Sequence, residues 1–369
     1  MPSPDAEPGR RPPARIPFLL HTKRLVSKMR QPKVFLTGVS GYVGGHLFVR
    51  LVQKHPEWNY SVLVRTEKQA VDILAKYPDI EVVIGDLDNK DILVKAASTA
   101  DIVLQLASAD HLSGAVSLVE GLSQGQSAPG KLIHISGTGM VLDVSKGFGV
   151  LSDRTWNDVD DIEEISSLPL EGHVHRDVDE AVLEAGERLH VPVAIISPCT
   201  IHGLGQGPLK SMGFSVGGYI EKVIDRGRGF QVAEAQNQWH QIHIDDCADA
   251  FILLAEEAAK PDGGKAQWGR KGYYFAESSP YDLKDIAETV AQVLYKLGKI
   301  SSQRVDKLSE QDVSAIHPIG HFVWGGNSKA RGDRLRALGW KPTGPDILAT
   351  LPEVVKLIVK SKEVKSTIM

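Results

Sequence analysis

The sequence predicts an α/β fold, in which helices cover both faces of a doubly wound parallel sheet and a smaller C-terminal lobe follows. Three observations lead to this prediction. Apolar strand-like segments alternate with helical patterns over more than half of the 369 residues. A glycine-rich turn joins the first of these strands to the first helix. The last third mixes Gly-rich loops and helices with one short strand-like segment at residues 272–276.

The first strand runs directly into three glycines. Residues 33–44 read KVFLTGVSGYVG, and Gly38, Gly41 and Gly44 have the spacing of a dinucleotide-binding turn. In such a turn the first glycine permits the bend, the second lets the backbone approach a pyrophosphate, and the third lets the helix pack against the strand. A second strand at residues 60–65 completes a βαβ spacing. The sequence therefore predicts a Rossmann-type dinucleotide site, with an ordinary Gly-rich turn as the alternative.

The later elements continue the alternation of strands and helices. After the second strand the patterns predict a helix at residues 69–77, a strand at 81–88, a helix to about 100, a strand from 101, a helix at 114–122, a strand at 131–136, a helix from about 173 to 187 and a strand at 191–197. Apolar strands in this arrangement predict a parallel sheet that binds its ligand at the carboxyl ends of the strands.

The chain is predicted to have three parts. Residues 1–30 contain six prolines and no periodic apolar positions, which predicts a disordered extension. A transit peptide is the alternative there, and Met29 offers a second possible start. Residues 31–202 are predicted to form the dinucleotide-binding domain, to which residues 230–260 return, and residues 203–369 are predicted to form mainly the substrate lobe.

Composition and charge argue against several classes of protein. The net charge of −4 at pH 7 gives no general electrostatic reason to expect nucleic acid or an anionic membrane as a partner. Only two cysteines occur, Cys199 and Cys247, and no apolar run reaches membrane-spanning length. We therefore expect a cytoplasmic protein without disulfides.

Several further motifs follow the glycine-rich turn in a recognisable order. They are GDLD at residues 85–88, LASA at 106–109, SPCTIHG at 197–203, IHIDDCADA at 242–250 and the region 327–342, which ends in LGWKP. In this order they resemble the extended and atypical short-chain dehydrogenase/reductases, a superfamily of nucleotide-sugar epimerases, dihydroflavonol reductase-like enzymes and NmrA-like proteins. The resemblance covers most of residues 33–351. It implies a nicotinamide cofactor and a small-molecule substrate, and homodimers are common in the superfamily.

The resemblance also implies a set of cofactor contacts. They are Gly38, Ser40, Gly41, Tyr42, Val43 and Gly44 in the turn, Asp86 and Leu87 at the adenine, Ala107 and Ser108 beside the nicotinamide ribose, and Ser136 and Pro198 after later strands. Cofactor choice depends on Arg65, which ends the second strand. An acidic residue there would bind the ribose hydroxyls of NAD, whereas arginine suits the 2′-phosphate of NADP. We predict NADP(H), with NAD(H) through Glu67 or a merely solvated Arg65 as alternatives.

The Tyr-x-x-x-Lys pair of the superfamily is missing from its expected helix. There the phenol exchanges a proton with the substrate oxygen as hydride moves. Anchoring the helix at residues 181–186 puts Glu171 at the tyrosine position and His175 at the lysine position. Tyr295 and Lys299 have the right spacing, but they lie in a late helix and are interpreted as a coincidence.

The catalytic candidates are therefore Thr138, Glu171 and His175. Thr138 matches the hydroxyl that polarises the substrate oxygen, although a hydroxyl there also commonly caps a turn. His175 can titrate near neutral pH, while a polar helix start with exposed histidines is the alternative. No metal site is predicted, because His173 and His175 would point to different faces of a helix.

These residues together predict an NADP(H)-dependent oxidoreductase with a non-standard acid/base. Its substrate would be a small carbonyl, alcohol or enone metabolite. Two alternatives stay open. One is a catalytically inactive cofactor-binding sensor of the NmrA-like kind, for which the missing pair is the main argument. The other is an isomerase or epimerase that uses a bound cofactor. Likeness of fold alone does not decide among them.

Overall fold

The computed structural model describes residues 30–125 and 129–368, with the backbone alone for Phe214 and residues 365–368. From Pro32 onward the described residues form one compact unit. The predicted disordered extension at residues 1–30 lies, except for its last residue, outside the described residues.

The described residues contain fourteen strands and thirteen α-helices. The strands are β1 (Lys33–Thr37), β2 (Asn59–Val64), β3 (Glu81–Ile84), β4 (Ile102–Gln105), β5 (Lys131–Ile135), β6 (Trp156–Asn157), β7 (Val193–Pro198), β8 (Thr200–His202), β9 (Gly229–Val232), β10 (Gln238–His243), β11 (Tyr273–Ala276), β12 (Ser279–Asp282), β13 (Val305–Leu308) and β14 (Ala330–Arg331). The helices are α1 (Tyr42–Lys54), α2 (Glu67–Leu74), α3 (Lys90–Ser98), α4 (Leu112–Leu122), α5 (Ile162–Ser167), α6 (Arg176–Leu189), α7 (Phe214–Arg226), α8 (Ile244–Ala258), α9 (Leu283–Lys296), α10 (Glu310–Ile316), α11 (Gly320–Gly325), α12 (Asp333–Ala337) and α13 (Ile347–Ile368).

Seven of the strands form one parallel sheet, as predicted. Their order is β11-β7-β5-β4-β1-β2-β3, and every neighbouring pair runs parallel. The order of the strands reverses between β1 and β4, so their carboxyl ends border the crevice in which open α/β sheets bind ligands. The late segment predicted at residues 272–276 is β11, which pairs with β7 at one edge of this sheet. Its four residues are all buried, because helices cover this edge as well.

Apolar side chains alternate between the two faces of the sheet. In β1, Leu36 packs in a core that includes Phe48 of α1 and Phe251 of α8, whereas Phe35 packs in a core with Leu118 of α4. Successive residues of a strand point to opposite faces, which explains this division. A third core around Phe230 joins α7, α9 and α13.

One helix begins later than the sequence indicates. A helix was expected from about residue 173, but α6 begins at Arg176. The residue before it, His175, has φ 70°, a left-handed backbone conformation that cannot continue a right-handed helix. Gly172 also has a positive φ, of 83°, so the chain turns twice before the helix starts.

No helix among the residues that the structure describes is long and apolar enough to cross a membrane.

Candidate active site

The turn between β1 and α1 shows why two of its glycines are needed for packing. Gly38 has φ +85°, and a Cβ atom there would lie 2.5 Å from the carbonyl carbon of Leu106, at the end of β4. A Cβ at Gly44 would collide with the carbonyl oxygen of Gly38. These two glycines therefore hold the turn, the helix and the neighbouring strand close together.

Gly41 differs from the other two glycines of the turn. Its φ is −86°, which any residue can adopt, and its N–H donates to the Gly38 carbonyl at 2.8 Å. Within 4 Å, a Cβ at Gly41 would meet only that carbonyl oxygen, at 3.1 Å. The first turn of α1 carries no acidic residue. The space beside Gly41 at the N-terminus of α1 therefore fits the pyrophosphate of a dinucleotide.

The side chains of the turn do not all face this space. Tyr42 is buried, and its hydroxyl donates to the carbonyl of Gly203 at 2.8 Å. Tyr42 thus anchors the segment after β8, which leaves only its backbone for a cofactor phosphate. The cofactor contact that the resemblance implies for Tyr42 remains a prediction. Ser40 and Val43 are half-buried.

Arg65 directly follows β2 and is exposed. Its backbone N–H donates to Oε1 of Gln69 at 3.0 Å, and Thr66 caps α2 by accepting from the Gln69 N–H at 3.3 Å. The main chain is therefore fixed, while the guanidinium forms no ion pair with a described residue. Glu67 lies in the first turn of α2 and is also exposed. Both the arginine and the glutamate side chains are thus accessible near the carboxyl end of β2.

Hydrogen bonds between its own residues hold the loop after β3. The carboxylate of Asp86 accepts from the Asp88 N–H at 3.0 Å, and the Asp86 N–H donates to Oδ1 of Asn89 at 2.9 Å. These bonds shape the loop from within. Leu87 is half-buried. The adenine contacts implied for Asp86 and Leu87 remain predictions.

The loop after β4 is held firmly. Gln105 donates from Nε2 to the carbonyl of Ser108 at 2.6 Å, and Ser108 accepts at Oγ from the Asp110 N–H at 3.1 Å. Ala107 lies between them, with its backbone close to Gly38. The hydrogen bonds fix the position of Asp110 at the carboxyl edge of the sheet.

Asp110 forms a close pair with His175. The Nδ1 atom of His175 lies 2.5 Å from Oδ1 of Asp110, so the ring donates to the carboxylate. The Nε2 atom has no hydrogen-bond partner among the described residues. A Cβ at Gly137 would lie 3.1 Å from that nitrogen, which places the imidazole against the loop after β5. The His175 side chain is 22% exposed, so its free nitrogen can meet a ligand.

The pair changes the titration of both partners. Burial by itself lowers the pKa of His175, but the hydrogen bond and the charge of Asp110 outweigh burial and raise the pKa above its usual value. The same hydrogen bond holds the pKa of Asp110 below its usual range. His175 can therefore carry a proton near neutral pH, with Asp110 orienting the ring.

Two of the three predicted catalytic residues are poorly placed to contact a substrate: Glu171 is exposed and Thr138 is buried. Glu171 is exposed in the turn before α6 and does not share a helical face with His175, because the helix begins only at Arg176. Thr138 is only 1% exposed, since it starts a buried 3-10 turn after β5. Its carbonyl accepts from the Ser328 hydroxyl at 2.6 Å. In this geometry Thr138 does not face an open cleft.

The remaining predicted cofactor contacts are Ser136 and Pro198, and both contact other parts of the protein. Ser136 donates from Oγ to Oδ2 of Asp179 at 2.7 Å. Pro198 is buried at the end of β7. In residues 30–125 and 129–368, no group of three histidine, cysteine, aspartate or glutamate side chains is arranged to hold a metal ion.

Comparisons with known proteins find a family model and two relatives that resemble this chain. The model of the 3-beta hydroxysteroid dehydrogenase/isomerase family matches residues 35–150. A relative described as Oxidase ucsJ, from an Acremonium species, is 29% identical over 337 residues, which cover 88% of this chain and 97% of the relative. An uncharacterized protein of Saccharomyces cerevisiae is 24% identical over 266 residues, which cover 71% of this chain and 80% of that protein.

Solved structures show the same fold. A dTDP-glucose 4,6-dehydratase of Bacillus anthracis in complex with NAD has a TM-score of 0.62 and 14% identity, with 90% of this chain and 98% of that chain covered. A UDP-glucose 4-epimerase of Thermotoga maritima with UDP-glucose has a TM-score of 0.60 and 14% identity, with 89% and 99% covered. The likeness to these two structures shows a shared Rossmann-type α/β fold. Within this fold, His175 and Asp110 form a histidine–aspartate pair at the carboxyl edge of the sheet.

One residue of the candidate site, Asp110, belongs to none of the motifs found in the sequence. Asp110 directly follows the LASA motif, and a carboxylate at the carboxyl end of a strand is the only sign of it in the sequence. Its partner lies 65 residues later, and only the packing of α6 against β5 brings the two together.

Proposed function

We propose that this protein is an extended short-chain dehydrogenase/reductase-like oxidoreductase that depends on a nicotinamide dinucleotide and prefers NADP(H). Its substrate is a small metabolite with a carbonyl, an alcohol or an enone. The observation that carries the proposal is the His175–Asp110 pair, whose free Nε2 lies at the carboxyl edge of the sheet. The description of the Acremonium relative as an oxidase supports redox chemistry. When bound, the dinucleotide supplies the hydride donor or acceptor.

His175 is the proton-exchanging residue in this proposal. In the direction of reduction, protonated His175 gives the proton on Nε2 to the substrate oxygen as negative charge develops there. In the direction of oxidation, neutral Nε2 takes the hydroxyl proton. Asp110 keeps the other nitrogen protonated and stabilises the positive ring, as the carboxylate does in other histidine–aspartate pairs.

The preference for NADP(H) rests on Arg65. We expect Arg65→Glu to weaken NADPH binding by about 1 to 3 kcal/mol, because a charge-assisted contact is replaced by repulsion, and to affect NADH much less. Titration of both cofactors by fluorescence measures the difference. Lys68→Glu is the matched control, since Lys68 is exposed in the first turn of α2, three residues after Arg65, and pairs with Asp72. Equal losses for NADPH and NADH would remove Arg65 from the site.

The activity itself is tested by a screen for NADPH and NADH oxidation against aldehydes, ketones and enones. We expect turnover with at least one class, and a strong decrease in His175→Ala. Absence of turnover on all three classes, together with unimpaired cofactor binding, would contradict the proposal.

A cofactor-binding sensor is the second candidate. It is favoured by the exposure of Glu171 and the burial of Thr138, because neither residue then reaches a substrate oxygen. A sensor should bind NADPH tightly without turnover, and its cofactor affinity should not change in His175→Ala. That combination would replace the oxidoreductase proposal.

A further inference from the structure

The segment that joins β8 to α7 packs on the first turn of α1 and has no regular secondary structure. Residues 203–213, which we call the strap, read GLGQGPLKSMG. Within the strap, the Gly205 N–H donates to the Ser211 carbonyl at 2.9 Å. The predicted cofactor contacts and the proposed reaction use none of its residues. Because an irregular segment with few backbone hydrogen bonds opens at a low cost in free energy, the side chains that fasten the strap decide its state.

Glycines bring the strap into direct contact with α1. A Cβ atom at Gly207 would lie 3.0 Å from the Cα atom of Gly45, and a Cβ at Gly45 would lie 3.1 Å from the Cα atom of Gly207. Cβ atoms at Gly205 and Gly213 would each come within 3.1 Å of the Tyr42 ring. The strap therefore borders the first turn of the helix whose N-terminus faces the space expected for the pyrophosphate.

His46 fastens the middle of the strap to this helix. Its Nδ1 atom accepts from the Gln206 N–H at 3.0 Å. Its Nε2 atom lies 2.9 Å from Oδ1 of Asp245, in the first turn of α8. The His46 side chain is only 1% exposed, so the ring is buried where α1, α8 and the strap meet.

The two hydrogen bonds of His46 determine where its proton lies. A backbone N–H can only donate, so Nδ1 carries no proton while the bond from Gln206 exists. The proton of the neutral ring is then on Nε2, which donates to the Asp245 carboxylate. A second proton, on Nδ1, would set two N–H groups against each other in a buried place, and the Gln206 bond would break. Fastening of the strap therefore requires neutral His46.

The surroundings of His46 favour this neutral form. Burial is the largest influence, and it holds the pKa of His46 below its usual value. The positive charge of Arg50 and the ring of His243, at the end of β10, act in the same direction, whereas the Asp245 carboxylate opposes them. Arg50 also donates to Oδ1 of Asp245 at 3.0 Å, so that carboxylate is shared between two donors. The strap itself contributes one charged residue, Lys210, which is exposed.

We propose that neutral His46 fastens the strap to α1, that a proton on His46 releases it, and that a dinucleotide bound at the turn favours the fastened form. The fastened strap packs on the first turn of α1, whose N–H groups would bind the pyrophosphate, so the ligand favours the state in which this turn is ordered. His46 is a positioning residue, since it acts through the strap. The effect of the dinucleotide rests on the proposed function, whereas release by His46 does not.

The direction of the pH dependence follows from the two states of the strap. In the released state the His46 ring meets water and regains an ordinary pKa of about 6.5. In the fastened state burial holds the pKa below that value. The fastened form is therefore fully favoured above about pH 6.5, and it is lost progressively as pH falls below that value.

Hydrogen exchange of the strap amides tests the release in the full chain without cofactor. After correction for the intrinsic effect of pH, we expect exchange in wild type to be about 3- to 10-fold faster at about pH 5.5 than at about pH 7.5. His46→Asn should remove this difference, because the asparagine oxygen takes the place of Nδ1 and does not titrate. His55→Asn is the matched control and should keep the wild-type difference, since His55 lies at the other end of α1 and pairs with Glu256.

Two results would overturn the release by His46. One is equal corrected exchange of the strap at both pH values in wild type. The other is a pH difference in His46→Asn as large as in wild type. Should His46→Asn not fold, ¹⁵N shifts of the His46 ring in wild type decide instead. An Nδ1 atom that gains its proton as the strap exchange rises supports the proposal, and an Nδ1 atom already protonated at about pH 7.5 contradicts it.

The effect of the dinucleotide is measured with NADPH at about pH 7.5. Saturating NADPH should slow exchange of the strap at least about 3-fold, because a ligand that prefers one state shifts the equilibrium toward it. Fluorescence titration shows independently whether NADPH is bound. Bound NADPH without slower exchange would contradict this part of the inference alone. Failure of NADPH to bind would contradict the proposed function as well, while the exchange measured without cofactor still decides the role of His46.

Discussion

Gly41→Val should abolish dinucleotide binding and leave the fold intact. The backbone at Gly41 is extended, with φ −86° and ψ 176°, a conformation that valine adopts readily. The added methyl groups would fill the open space beside the N-terminus of α1, where the pyrophosphate is expected. We expect affinity for NADPH to fall at least about 100-fold, or about 2.8 kcal/mol. Fluorescence titration measures the affinity, and thermal unfolding checks the fold.

Gly38→Ala is the matched control for this variant. At Gly38 the φ of +85° and the approach of Leu106 make any side chain unfavourable, so this change should lower the free energy of unfolding by at least about 1 kcal/mol. Comparison of the two variants therefore separates the loss of space for the ligand from the loss of packing in the turn. Unchanged NADPH affinity in Gly41→Val would show that the turn does not bind the pyrophosphate.

His175→Ala should lower turnover at least about 10-fold, which corresponds to about 1.4 kcal/mol of barrier. The reason is the loss of an imidazole whose Nε2 atom lies beside the loop after β5. Steady-state rates with the substrate class found in the screen measure this effect. His175→Asn is a useful second variant, because asparagine tolerates the left-handed backbone at this position and carries no titratable ring. Wild-type rates in both variants would exclude His175 as the acid/base.

The pH profile tests the same residue through Asp110. The acid form of His175 is lost as pH rises through its pKa, and Asp110 raises that pKa. The reductive rate should therefore fall with rising pH, and Asp110→Asn should move this fall about 1 unit lower. The contribution of this pair to the stability of the fold also falls as pH rises. The pair stabilises the fold fully below the unfolded histidine pKa of about 6.5, and this contribution is lost as pH rises through the folded value.

The sequence by itself determined the parallel sheet and the dinucleotide turn. Both depend on local patterns: buried parallel strands need continuous apolar runs, and the spacing of Gly38, Gly41 and Gly44 meets the steric limits of one turn. The position of Arg65 at the carboxyl end of the second strand followed from the same order of elements. These predictions required no knowledge of contacts between distant residues.

Only the tertiary structure decided which side chains meet at the site. Asp110 and His175 are 65 residues apart, and their contact requires α6 to pack over β5 beside β4. The start of α6 at Arg176 separates Glu171 from His175, and the 3-10 turn after β5 buries Thr138. The approach of His134 in β5 to Asp179 in α6, with 3.7 Å between Nε2 and Oδ1, also arises only from packing. A sequence pattern reports local conformation, whereas the protonation and exposure of a side chain depend on neighbours that the chain brings together only when it folds.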